Sequence, residues 1–198
     1  MGLIIQYTIG QTPLDEEENE GLRIKSISNR HELNEFEQHN IEKAMLWLKS
    51  KRIDAEELLS EKFVKELHRR MYGDVWKWAG LFRKTNKNLG VDKHIIPQSL
   101  KQLLDDSRYW IQQRSFSADE IAIRVKHRIV QVHCFANGNG RHSRLIADAM
   151  MEKIFNQQPF TWGAAGTKAP PHLRTAYIKA LQKADAGNYS ALVAFAKS

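Results

Sequence analysis

Two consecutive Asn-Gly pairs at residues 137–140, within VHCFANGNGRHSR (132–144), constrain this chain more than any other stretch. Asn-Gly between alternating apolar runs is a strong hairpin signal, because both central residues of a type I′ turn take positive φ. The flanks argue for something else. Downstream, Leu145, Ile146, Ala149, Met150, Ile154 and Phe155 follow the i, i+3/i+4 spacing of an amphipathic helix. Upstream, Ile121, Val125, Ile129 and Val132 form a helical stripe, although Ile121-x-Ile123-x-Val125 also permits a short strand. With helices on both sides, the glycines make a corner, and the corner holds something.

The rest of the chain repeats the helical theme. Apolar positions from Leu33 to Leu48 predict a helix over 31–49. Ser60 is an N-cap ahead of the stripe Phe63, Val64, Leu67 and Met71, and Gly73 is its stop. Helices are also expected over 98–113, from Ser117 in a Ser-x-x-Glu capping box, over 172–184, and in the closing NYSALVAFAKS. Between them, VWKWAGLFRKTNKNLGVDKHIIP breaks the rhythm. Its Gly80, Gly90 and Pro97, with Val91 and Ile95–Ile96, predict a loop followed by a short β-hairpin flap. Residues 1–30 carry few periodic apolar positions, and TPLDEEENEGL reads as an extended or weakly ordered arm. The expected division is an arm over 1–30 and one mainly α domain over 31–198, a helical bundle with a small hairpin.

Charge and cysteine content narrow the partners. Residues 1–60 hold 7 Lys/Arg against 12 Asp/Glu, while the remainder holds 23 against 11. Such a basic body suits nucleic acid, nucleotide phosphates or an acidic protein, and the acidic start has a surface to fold back onto. The lone Cys134 excludes an internal disulfide, and no stretch resembles an export leader or a membrane span, so a cytoplasmic, membrane-free protein is expected.

A helix starting near Gly140 would present unpaired backbone N–H groups and the positive end of its dipole to an anion. Gly138 and Gly140 let the backbone approach a phosphate without a Cβ clash. Asn139 offers an amide donor beside them. Arg141 and Arg144, three apart, share a face and reach outward as bidentate donors, while His133 ends the preceding helix as a nearby base. Charge stabilisers around a phosphate plus a base are what phosphoryl or nucleotidyl transfer needs. The loop is neither a Walker A loop nor a dinucleotide fingerprint.

These letters resemble the Fic (Fic/Doc) signature, His-x-Phe-x-(Asp/Glu)-Gly-Asn-Gly-Arg-x-x-Arg, at every fixed position but one. WAGLFRKTNKNLG resembles the Gly-x-x-Arg stretch before the Fic flap, and GNYSALVAFA the closing helix, so the likeness spans roughly 31–198. More narrowly, the chain is similar to the bacterial mobile mystery protein B group of stand-alone Fic proteins. The resemblance implies a Fic-type helical bundle and transfer of AMP from ATP to a Tyr, Thr or Ser hydroxyl of a target protein. By position it makes His133 the general base and Phe135 a buried anchor. Gly138, Asn139 and Gly140 become the anion hole, and Arg141 and Arg144 the readers of the outer phosphates. His94, Ile95 and Ile96 belong to a flap that docks the target by strand addition.

Asn137 is the departure. The family usually has a carboxylate there to hold Mg²⁺, and hard divalent cations prefer carboxylates, so weaker metal binding, slower transfer or a changed phosphate-containing group is implied. A weakened nucleotide-binding regulatory module is the alternative. The resemblance also suggests an inhibitory glutamate paired with Arg144. Glu32, in Ser28-Asn-Arg-His-Glu32, is the nearest match, with Glu35 and Glu37 as rivals on the same helix, and a separate antitoxin chain could do the same. His68, His127, His133 and His142 lack metal-ligand spacing. Trp76, Trp78 and Trp110 are expected in the core rather than on a base, and His68-Arg69-Arg70 at a helix end does not favour RNA. Cys134 has no partner that would make it a nucleophile.

Overall fold

The computed structural model describes residues 13–163 and 171–198, and side chains throughout these ranges except 171–174. Its helices run α1 (Glu16–Glu20), α2 (Arg30–Ser50), α3 (Ala55–Leu58), α4 (Glu61–Tyr72), α5 (Ile96–Gln113), α6 (Ala118–Val132), α7 (Asn139–Ala149), α8 (Pro171–Asp185) and α9 (Ser190–Ala196). Around α6 pack α5 and α7, with α9 also touching it; α2 lies along α4, and α8 pairs with α9. The caps read from sequence are in place: Ser60 Oγ accepts from Phe63 N at 3.1 Å and Ser117 Oγ from Glu120 N at 3.3 Å. The reciprocal half of the Ser117 box is not made, because Glu120 turns to Arg124, 2.7 Å away.

The strand alternative for residues 121–132 is absent; Ile121, Val125 and Ile129 form the buried stripe of α6. Phe135, Leu100, Leu103 and Ile146 fill the space beside it without exposure. Burying each such side chain is worth roughly 1.5–3 kcal/mol.

Two expectations need correction. Among the described residues there are no strands, only an isolated bridge between Leu22 and Trp76, so the hairpin flap is not formed. Several backbone groups of residues 83–95 are bonded by side chains instead of a ladder. The Arg83 guanidinium donates to the Thr85 and Val91 carbonyls, Asn86 Oδ1 accepts from Lys93 N at 2.8 Å, and Asp92 caps the turn through His94 N at 2.9 Å. That turn, Lys93–Ile95, is 3₁₀ and leads straight into α5, whose second residue is Pro97. Secondly, residues 13–30 are not a weakly ordered arm. Leu14, Leu22 and Ile27 are buried in the main core, and α1 is tied down by Trp78 Nε1, which donates to Glu18 O at 3.0 Å. The first twelve residues of the expected arm and most of the loop in TWGAAGTKAPP lie outside the described residues.

Candidate active site

Helix α6 ends at His133, which takes a left-handed φ of 54° while its N–H still bonds Ile129 O at 3.0 Å. That conformation is unusual for a residue with a Cβ. It is held from outside: Arg83 Nε donates to the His133 carbonyl at 2.6 Å. The imidazole is 4% exposed, and burial, with lesser help from the Arg83 and Lys87 cations, pushes its pKa down to about 4. The ring is therefore neutral at physiological pH. Nδ1 lies 3.3 Å from Val130 O, which assigns the ring proton there and makes Nε2 the basic nitrogen.

The loop beyond is locked by side chains reaching inward. Asn139 closes it with both ends of its amide, accepting from Phe135 N at 3.0 Å and donating to Phe135 O at 2.8 Å. Its side chain is thus a clamp rather than the free donor the sequence suggested. Phe135 is fully buried, stacked on His68 at 3.7 Å. His68 accepts from Gly80 N through Nδ1 at 3.0 Å, so its Nε2–H donates to Asn137 O, also at 3.0 Å. Burial holds His68 well below its ordinary pKa, in keeping with a neutral ring bridging two backbone groups. Gly138 has φ 78°, and a Cβ there would lie 2.5 Å from the Tyr72 ring. Gly140 is the opposite case: nothing stands within 4 Å of the place a Cβ would take.

Helix α7 starts at Asn139, with Gly138 as its N-cap. The N–H groups of its first turn have no intrahelical acceptor. They emerge beside the open side of Gly140, the arrangement that receives an anion. Arg141 donates to the Glu37 carboxylate at 2.7 Å and lies over the Tyr72 ring at 5.1 Å. Glu37, 6% exposed, also accepts from Trp76 Nε1 at 2.8 Å. Arg144 sits between the rings of Trp162 (5.4 Å) and Tyr177 (4.9 Å), and its Nε is buried without a partner. Beyond it, the buried Lys126 donates to the Tyr177 hydroxyl, and Lys126 and Arg144 together hold that phenol below its ordinary pKa.

His133, residues 137–140, Arg141 and Arg144 are thus brought to one corner, while other expected site residues are elsewhere. Glu32 folds back on its own helix start, accepting from Ser28 N at 2.8 Å. Glu35 lies beside His31 at 3.6 Å. The acid that reaches a motif arginine is Glu37, and it takes Arg141 rather than Arg144, which is packed between aromatic rings. In the expected flap, His94 and Ile95 are exposed, but Ile96, the first residue of α5, is fully buried and has no face to offer a target. Glu37 was expected only as a rival partner for Arg144, and Tyr72, Arg83 and Tyr177 were not foreseen as parts of this corner; among these three only the Gly-x-x-Arg spacing around Arg83 carried a signal.

The remaining candidates are absorbed by the fold. Trp76 stacks on Trp78 at 5.0 Å, and Trp110 meets Phe116 edge-on. Arg69 and Arg70 both pair with Glu66. The buried Cys134 thiol is pushed up to about 12 by burial, so it is not a nucleophile at neutral pH. Asn137 contributes one neutral amide oxygen, already accepting from Gly138 N at 2.6 Å, and no group of metal-ligating residues exists among the described residues. This donor set does not fit a resident Mg²⁺.

The arrangement is that of a Fic-type fold. Fic-1 (residues 134–508) from C. elegans superimposes with a TM-score of 0.64 at 24% identity, covering 80% of this chain and 46% of that one. BepC from Bartonella tribocorum, solved with bound AMPPNP, matches with a TM-score of 0.68 at 17% identity, covering 92% and 97%. Residues 58–151 match the model of the Fic/DOC family. Among curated proteins it is similar to protein adenylyltransferase Fic of Aedes aegypti, 25% identical over 124 residues, and of Drosophila grimshawi, 28% identical over 138. These matches cover 59% and 68% of this chain, which spans about a quarter of those relatives, 25% and 27% of their length.

Proposed function

We propose that this chain is a nucleotidyltransferase that moves AMP from ATP to a Tyr, Thr or Ser hydroxyl of a target protein. One observation carries the reading: a neutral, buried imidazole and an open helix N-terminus with two arginines are held on a single locked corner. The relatives named protein adenylyltransferase support it, as does the AMPPNP bound to BepC.

In this mechanism the triphosphate lies against the α7 N-terminus, beside Gly140, where the backbone N–H groups and helix dipole stabilise charge building on the phosphates. The target hydroxyl oxygen attacks the α-phosphorus, its proton passes to His133 Nε2, and pyrophosphate leaves. Arg141 and Arg144 bind the leaving phosphates. Arg144 is already preset by the Trp162 and Tyr177 rings, whereas Arg141 must exchange Glu37 for phosphate. Glu37 replaces Glu32 in this proposal as the internal carboxylate that opposes nucleotide binding; a separate antitoxin chain acting on the same corner is compatible with it. Mg²⁺ arrives with the triphosphate. Kinship with the mobile mystery protein B group and a cytoplasmic location belong to the same proposal. Among the described residues no helix is long and apolar enough to cross a membrane.

The second reading, a weakened nucleotide-binding module, is favoured only by Asn137. Incubation with α-labelled ATP, Mg²⁺ and a lysate, comparing wild type with His133→Ala, separates the two. Label on protein that vanishes in the variant supports transfer. ATP binding with no label in either protein supports the module and overturns the enzyme.

A further inference from the structure

Lys87 is a lysine with only 3% of its side chain exposed. Lysines are almost never buried so far unless paired. Here Nζ lies 2.8 Å from Asp15 Oδ2 and 2.6 Å from Glu18 Oε2, so two carboxylates of the α1 region close on one ammonium. The grip is reinforced at both ends. Glu18 Oε2 also accepts from Asp15 N at 2.8 Å, and Asp15 accepts from the Thr85 hydroxyl. Three residues after Lys87, Gly90 is pressed against the site: at φ 112°, a Cβ on it would lie 2.6 Å from the Cβ of His133. Val91 N then bonds Val132 O at 3.4 Å, and Arg83 ties the Val91 carbonyl to that of His133. The 85–91 segment is therefore fixed at one end to α1 and at the other to the backbone bearing the imidazole.

We propose that Lys87, clamped by Asp15 and Glu18, is a positioning residue for His133, and that α1 is through it a working part of the active site. The clamp sets where Gly90 packs, and Gly90 sets what room the imidazole has. Among the described residues, the Arg83 guanidinium and the Lys87 ammonium act on the ring, and both oppose its protonation. Calling this an active site rests on the transferase reading; the clamp itself does not, and its test reads the apo protein.

The test follows His133 and residues 85–91 in the full-length wild type, in Lys87→Met, and in Asp15→Asn/Glu18→Gln. Amide exchange of Val91, whose N–H bonds Val132 O, is expected to accelerate about tenfold or more in both variants, while Ile123 and Ile129 in α6 keep their protection. The imidazole resonance of His133, assigned with His133→Ala, is expected to titrate at higher pH in Lys87→Met, where one opposing cation is gone. The double carboxylate variant keeps that cation and checks that the exchange effect is the clamp's. Unchanged exchange at Val91, acceleration spread evenly over the fold, or an unmoved His133 midpoint in Lys87→Met each overturns the proposal. If both readouts move and no transfer is ever found, the clamp stands and the enzyme reading fails alone.

Discussion

Gly138 and Gly140 stand two residues apart, and the structure assigns them opposite sensitivities. Alanine at Gly138 must keep a φ of 78° and place its methyl 2.5 Å from the Tyr72 ring. The left-handed backbone costs about 1–2 kcal/mol, and forcing a methyl against a packed ring adds about 1–3 kcal/mol. At about 2–4 °C per kcal/mol for a chain of this size, Gly138→Ala lowers Tm by about 4–20 °C. Gly140 has an ordinary helical backbone and open space around its missing Cβ. Alanine there is expected to raise stability by about 0.5–1 kcal/mol, because glycine in a helix loses more conformational freedom. If that open space is where a triphosphate meets the α7 amides, the same methyl lies in its path, and ATP affinity falls about tenfold or more, at least 1.4 kcal/mol. Thermal melts with and without ATP, together with titration calorimetry, read both quantities. A Gly140→Ala protein that is stable and binds ATP with the wild-type Kd would refute the anion cradle.

Other outcomes follow from the same corner. Burial holds both His133 and His142 near 4, whereas unfolded histidine titrates near 6.5. The unfolded chain therefore binds more protons between those values, so stability is complete above pH 6.5 and is lost as pH falls toward 4. The slope is on the order of 1.4 kcal/mol per pH unit per group, and denaturant melts at stepped pH measure it. Asn137→Asp supplies the missing carboxylate and is expected to raise label transfer and make it depend more steeply on Mg²⁺; equal labelling at all Mg²⁺ concentrations counts against a metal role for position 137.

The parts legible in the sequence share one property: their cause lies within a few residues. The stripes of α4, α5 and α6 and the caps at Ser60 and Ser117 are local, and periodicity finds them. The 133–144 corner was legible for the same reason, because base, glycines and arginines sit on one continuous stretch. Illegible features are those settled at long range. α1 is five residues long and buries nothing of its own, so nothing in its sequence announces order; Lys87, far along the chain, supplies it. The hairpin was expected because Gly90, Val91 and Pro97 punctuate like a turn. One guanidinium, Arg83, takes the carbonyls that a partner strand would have used. Local pattern cannot rank Glu32, Glu35 and Glu37. Only Glu37 ends beside Trp76, which lies in the turns after α4, and Arg141, which α7 brings there.

That last contact sets the energetics of nucleotide binding. Arg141 is bound in the free protein, so a phosphate gains only the difference between its own bond and the one to Glu37. The carboxylate left behind is 6% exposed, with Trp76 Nε1 as its remaining hydrogen-bond donor. A buried charge deprived of its counter-ion is unfavourable, and nucleotide affinity falls by that amount. Glu37→Gln removes the charge while an amide oxygen still accepts from Trp76. Hydrogen bonds to charged groups are worth about 1.5–3 kcal/mol, so releasing Arg141 is expected to tighten ATP binding by roughly tenfold or more. The alternative is that Glu37 aims Arg141 at the phosphates, and it predicts the opposite sign. Calorimetry on Glu37→Gln decides between them: weaker ATP binding than wild type would mean that the ion pair prepares the site rather than opposing its ligand.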